Sequence, residues 1–192
     1  MSQVLKKDAR FIIKIALLYC ALSAAFSFVG IFIAQKGPLE NPIGSLTVNE
    51  VVGHFLWGLL VGAVTLSLRY TIIAGAFAVL IDSDHVIAFT HIDALFRMSH
   101  SISFGIISFI ILIILTRKRD WRLGAIAFAA VLSHVSFDIF AGDPRFPIFS
   151  PFYNNQISFS QVDWIYFEVI AIVIVGVVNL IQKRRDAISA QV

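Results

Sequence analysis

Apolar runs, each near the ~20 residues that cross ~30 Å of hydrocarbon, fill most of this chain and constrain it more than any other feature. Of its 192 residues, 58% are hydrophobic, 14% are charged and 18 are Phe, which excludes an ordinary soluble domain. The runs predict six helices, over about 11 to 34, 50 to 68, 70 to 89, 100 to 116, 122 to 141 and 163 to 181. The expected fold is therefore all-α: a polytopic membrane protein built as a six-transmembrane-helix bundle. No repeat of fixed period and no soluble insertion interrupts it, so residues 1–192 read as a single transmembrane domain. The longest connections, about 35 to 49 and 142 to 162, hold all five prolines.

Lys6, Lys7 and Arg10 before an apolar run resemble a secretory leader. That run exceeds the roughly 7 to 15 residues of a leader core, so a retained first span is expected. Cys20 follows the bulky Tyr19, which suits no lipoprotein cleavage site. As the single cysteine it forms no intramolecular disulfide, and inside an apolar helix it reads as packing.

Charge sets the orientation. Six spans put both ends on one side. On that side fall Lys6, Lys7, Arg10, Lys14, Arg69, Arg117, Lys118, Arg119, Arg122, Lys183, Arg184 and Arg185, twelve of the 15 basic residues. Only Lys36, Arg97 and Arg145 fall on the other. The positive-inside rule then predicts that both termini are cytoplasmic, in the plasma (inner) membrane. The basic runs follow from topology and from attraction to anionic lipid, and they are no evidence for nucleic acid.

Within this apolar frame stand His54, Asp82, Asp84, His100, His134 and Asp138. An ionisable residue in a span costs roughly 2.5 to 3.5 kcal/mol even on mild insertion scales, so it marks a functional site by default. On the predicted topology helix two runs inward from His54, while helices three and five run outward toward Asp82, Asp84, His85, His134 and Asp138. His100 opens helix four at the outer face. All reach one depth, near the extracytoplasmic surface. His134 and Asp138, four apart, share a helix face, as do Asp82 and His85, three apart. Asp84 points elsewhere on a regular helix and joins them if the helix loosens near Ser83. Imidazole and carboxylate together suit a divalent metal, Zn²⁺ first and Mn²⁺ next. Such a set holds either one ion with outer carboxylates or two ions sharing a bridging Asp. Glu50, four residues before His54, can orient its ring or serve as a first-turn acid. Gly58 and Gly62 form a small-xxx-small face for close helix packing.

The ordered motifs His54-x-x-x-Gly58, Asp82-Ser83-Asp84-His85, Arg97-Met98-Ser99-His100-Ser101 and His134-x-x-x-Asp138 resemble the YdjM-like family of inner-membrane metal-dependent hydrolases, also described as LexA-binding. The likeness spans about residues 50 to 152, the expected core of the metal site, and includes the loop Asp143 to Phe152. It implies a membrane-embedded hydrolase with metal ligands at His54, Asp82, Asp84, His100, His134 and Asp138, similar to zinc-dependent phospholipase C enzymes. Phe96 stands where the family usually has His before the Arg, and Ile81 where Pro is common before the first Asp.

The chemistry expected of such a site is hydrolysis by metal-activated water, with Asp84 or His85 taking the proton. Arg97 and Arg145, in the outer loops, are expected to hold a phosphate by paired hydrogen bonds. The partner expected is a membrane lipid, cleaved at a headgroup phosphoester on the outer face. The rival readings are a divalent-metal transporter and a non-catalytic membrane interaction protein. Transport sites lie near the midplane with polar groups continuing across, whereas the inner halves of these helices are nearly free of ionisable residues.

Overall fold

The computed structural model describes residues 3–34, 47–116 and 120–191. Lys36, Arg117, Lys118 and Arg119, counted above for orientation, lie outside the described residues. The described chain is mostly helical: α1 (Gln3–Ser27), α2 (Val48–Ala63), α3 (Leu68–Leu80), α4 (Ile102–Leu115), α5 (Trp121–Ala141) and α6 (Trp164–Ser189). A two-stranded antiparallel hairpin, β1 (Arg145–Phe146) with β2 (Ile157–Ser158), sits between α5 and α6.

Four helical stretches are long and apolar enough to cross a membrane: Lys6–Phe32, Leu68–Thr90, Trp121–Ala141 and Gln161–Ser189. The remaining two, α2 and α4, are apolar but shorter, at 16 and 14 residues. At 1.5 Å per residue they reach about 24 and 21 Å, less than the ~30 Å hydrocarbon thickness. The sequence expectation for helix two, 50 to 68, overran its end: Thr65 and Leu66 turn back on Gly62 and Ala63, and Leu66 takes a left-handed φ of 57°.

α5 forms the axis of the bundle. Nearly all of it from Leu123 to Ile139 is buried, and it packs against α2, α3, α4 and α6. Its many Ala, Gly and Ser residues let neighbours approach from every side, which is how helices associate when lipid offers no hydrophobic drive between them. The Gly58 and Gly62 face behaves likewise. A Cβ at Gly58 would come within 2.5 Å of the Ala74 carbonyl, and one at Gly62 within 2.7 Å of Thr71 Cα, so α2 and α3 touch backbone to backbone. Large side chains such as Leu17, Ile110, Ile114 and Val173 point outward and remain exposed, as a lipid-facing surface requires.

The two ends of the bundle differ in charge. At one end Arg69 stacks over Phe11, 3.7 Å from the ring centre, and pairs with Asp8 at 3.6 Å. Arg122 there meets Asp120 and Asp186, and Arg185 lies over Trp121. The beginnings of α1, α3 and α5 and the end of α6 thus gather with their basic residues. His54, Asp82, Asp84, His100, His134 and Asp138 gather at the opposite end.

Candidate metal centre

Five segments deliver the site. Thr47 caps α2 by accepting the Glu50 N–H at 3.2 Å, which fixes the first turn and sets His54 one turn further in. α3 does not continue as a regular helix. From Ile81 to Thr90 it tightens into a ten-residue 3-10 helix, an unusual length for that form and one associated with functional segments. At three residues per turn Asp82 and His85 eclipse each other on one side. Asp84 is carried round toward the segment Arg97 to His100, where Arg97 holds a left-handed φ of 62° that a non-glycine residue rarely adopts. α5 contributes His134 and Asp138 and ends directly afterwards, where Gly142, at φ 103°, returns its N–H to the Asp138 carbonyl at 3.0 Å.

Two groups of ligand atoms converge. The first comprises His54, His134 and Asp138, and the second Asp82, His100 and His134, all buried. In the second, Asp82 Oδ1 lies 3.2 Å from His134 Nε2 and 3.6 Å from His100 Nε2, and the two Nε2 atoms are 2.9 Å apart. In the first, Asp138 lies 3.2 Å from His54 Nε2 through Oδ1 and 3.5 Å from His134 Nε2 through Oδ2. Donor atoms held 2.0 to 2.2 Å from a common Zn²⁺ at tetrahedral angles stand about 3.3 to 3.6 Å apart. The observed spacings fall on or just below those edges.

Hydrogen bonding on the far sides of the rings tests the fit independently. His134 Nδ1 lies 2.6 Å from the Ala78 carbonyl, which only accepts, so Nδ1 carries a proton and, in the neutral ring, Nε2 presents a lone pair. His100 Nδ1 lies 3.2 Å from Asp84 Oδ2, an oxygen that also accepts the Ser99 N–H at 2.9 Å. That carboxylate favours the same tautomer on neutral His100. The two Nε2 atoms thus face each other at 2.9 Å, where either a shared proton or a shared cation joins them. Asp82, Asp84 and Asp138 bring three buried carboxylates against a single guanidinium, that of Arg97, and such burial is costly without further positive charge. The donor set and its tautomers fit a divalent ion.

Asp84 differs from its expected role. It belongs to neither convergent group, and it holds the outer nitrogen of His100, as outer carboxylates do for metal-bound histidines. The loosening near Ser83 does occur, and it turns Asp84 Oδ2 to His100 and Ser99 while Oδ1 stands 3.9 Å from His85 Nε2. His85 is buried, with Nε2 3.5 Å from Asp82 Oδ1 and 3.9 Å from Asp84 Oδ1, so it borders the cluster. Glu50 approaches His54 Nε2 at 3.6 Å. It thus stands on the ligand side of the ring, where orienting the far nitrogen is impossible.

The two arginines part company. Arg97 is no open loop cation: it is buried, donates to Asp138 Oδ2 at 2.5 Å and to Asp143 Oδ2 at 2.6 Å, and lies 4.6 Å above the Phe146 ring. Arg145 is exposed on the hairpin and makes no contact with the cluster among the described residues. Phe96 packs with Ile87, Ala88 and Ala94 in a small apolar core, so no donor replaces the histidine expected there. Glu168 is buried along α6 and forms no ion pair with the cluster. His91 and Asp93 are exposed.

Sequence reasoning missed three contributors: the Ala78 carbonyl, the Ser99 N–H, and Phe146, whose ring stacks on His100 with centroids 5.9 Å apart. Backbone groups carry no residue signature, and an aromatic in a Phe-rich chain does not stand out. Comparisons with protein-family profiles, with curated proteins and with solved structures found no match to this chain.

Proposed function

We propose that this chain is a membrane-embedded metal-dependent hydrolase that cleaves a phosphoester of a lipid headgroup at the outer face of the membrane. The observation that carries the reading is the convergence of His54, Asp82, His100, His134 and Asp138, in which Ala78 and Asp84 hold the far nitrogens of two histidines whose Nε2 atoms stand 2.9 Å apart. The ordered motifs that resemble the YdjM-like hydrolases support it further. In this reading α2 and α4 complete six spans, the shorter two reaching across with help from their flanking turns, and both termini are cytoplasmic. The gathering of Arg69, Arg122 and Arg185 at one end and the cluster at the other supports that orientation.

His54, Asp82, His100, His134 and Asp138 would hold the ion, Zn²⁺ by donor type. When bound, it would supply Lewis acidity and lower the pKa of a water to about 7. In hydrolysis the water oxygen bonds to phosphorus, the ester P–O bond breaks, and the departing oxygen gains a proton. His85, bordering Asp82, takes the proton that the water loses. Asp84 keeps His100 in the tautomer that presents Nε2. Arg97 restrains Asp138 and becomes a phosphate partner only by exchanging its bond to Asp143, whose side chain is exposed. Arg145 reaches the headgroup from the hairpin if it takes part.

Metal analysis of the purified protein, followed by hydrolysis of a phospholipid and polyprenyl-phosphate panel with and without chelator, tests this reading. Stoichiometric metal in the wild type, its loss in His134→Ala, and chelator-sensitive lipid cleavage are expected. Wild-type protein without metal, or a His134→Ala variant that keeps it, refutes the site. Chelator-insensitive vesicles that accumulate the metal without cleaving lipid would replace hydrolysis by transport.

A further inference from the structure

The cluster is closed on the hairpin side. Phe146, Ile148 and Arg97 cover it there, and His100 and His134 are wholly inaccessible. Asp82, at 9%, and His85, at 6%, keep part of the exposure that remains around the histidines, the rest lying at Asp138, Arg97 and the half-buried Glu50 beside His54. Asp82 and His85 both line one cavity of about 350 Å³ between α1 and the 3-10 segment, whose other walls include Cys20, Ala24, Leu80, Val86 and Phe89. Apart from Ser83 those walls are apolar, and they open through the apolar outer surface of the bundle, where the lining residues Val86 and Phe89 are exposed.

The groove is held open by polar stitches and not by loose packing. Ser23 Oγ donates to the Ile81 carbonyl at 2.6 Å, and Ser83 Oγ lies 2.9 Å from the Cys20 carbonyl. Ser83 also donates to the Leu80 carbonyl at 2.6 Å, so its one proton is shared and Ser23 is the firmer tie between α1 and the 3-10 segment.

We propose that this groove seats one hydrocarbon chain of an amphiphilic substrate, which enters sideways from the bilayer with its polar end against Asp82 and His85. The proposal rests on the hydrolase reading for the identity of the site and adds where the chain lies and which way it enters. An apolar slot within a bilayer is filled by hydrocarbon at no cost, and its single polar end is the metal cluster. On the hairpin side, buried aromatic and aliphatic side chains leave a hydrocarbon chain no comparable seat. The chain's only cysteine, Cys20, stands in the wall and reports on occupancy without an introduced label.

The test uses the full chain in phosphatidylcholine and phosphatidylglycerol vesicles containing a trace of a phospholipid with a photoactivatable diazirine on one acyl chain. After illumination, adducts mapped by mass spectrometry are expected to concentrate on Cys20, Ala24, Val86 and Phe89 over exposed positions such as Leu17 and Val173. Ala24→Trp, which fills the slot, is expected to abolish the groove adducts. Val173→Trp, on the outer surface of α6, is expected to leave them intact. Adducts spread evenly over the lipid-facing residues, or a groove pattern that survives Ala24→Trp, would overturn the proposal. Bound metal is measured on the same samples. A metal-free protein with the groove pattern intact refutes the hydrolase reading and leaves the chain seat standing, whereas a metal-loaded protein without that pattern does the reverse.

Discussion

Replacing Asp84 separates a residue that positions a ligand from one that is a ligand. Asp84 is fully buried, and its Oδ2 accepts both the Ser99 N–H at 2.9 Å and His100 Nδ1 at 3.2 Å. In Asp84→Ala both donors lose their acceptor, and His100 is free to move its proton to Nε2, the atom 2.9 Å from His134 Nε2. Loss of such an outer carboxylate lowers metal affinity by about 10- to 100-fold, or about 1.4 to 2.8 kcal/mol. Asp84→Asn retains an oxygen for both donors and loses only the charge, so it is expected near the lower end of that range. His134→Ala removes a donor common to both convergent groups and is expected to abolish binding. Competition with a graded series of chelators, with metal counted by mass spectrometry, measures all three variants on one scale. The reasoning fails if Asp84→Ala loses metal as completely as His134→Ala, which would make Asp84 a ligand. It fails equally if Asp84→Ala binds as tightly as wild type, which would mean that the tautomer of His100 is set elsewhere.

Metal should also stabilise the fold: at a free concentration a thousand times the dissociation constant the gain is about 4 kcal/mol. For a chain of this size that corresponds to roughly 8 to 16 °C in Tm, and a chelator titration that leaves Tm unmoved would contradict it. Arg97→Ala strands Asp138 in a buried site and should cost about 3 to 5 kcal/mol in the metal-free protein. Arg97→Lys should rescue little, since one ammonium cannot span Asp138 and Asp143 as the guanidinium does, and a Lys variant with wild-type Tm would show that the fork is unimportant. Gly58→Val brings its Cβ against the Ala74 carbonyl and should part α2 from α3, drawing His54 from the cluster. Destabilisation of about 1 to 3 kcal/mol with weakened metal binding is expected, and normal Tm with normal metal content would show that the two helices tolerate separation.

The sequence by itself determined the helical class, the apolar runs long enough to cross a membrane and the small set of residues worth examining. Those follow from local quantities: the length of apolar runs and the cost of a carboxylate within them. The spacing of His134 and Asp138 on α5, and of Asp82 and His85, was legible because a helix fixes which residues share a face. That Gly58 and Gly62 let α2 approach a neighbour closely was legible for the same reason, whereas the identity of that neighbour, α3, was not. The roles of the remaining residues were decided only by the tertiary structure. Asp84 became the support of His100 because the chain leaves α3 in a tighter helix whose rotation per residue differs, and the run Ile81 to Thr90 looks in sequence like continued α-helix. Arg97 became a buried clasp on Asp138 because its left-handed backbone turns it inward, where a loop cation was expected to face solvent. The tautomers of His100 and His134 depend on a carboxylate and a carbonyl contributed by other segments. Which atoms face a ligand is a property of rings fixed from both sides, and the second side always comes from elsewhere in the chain.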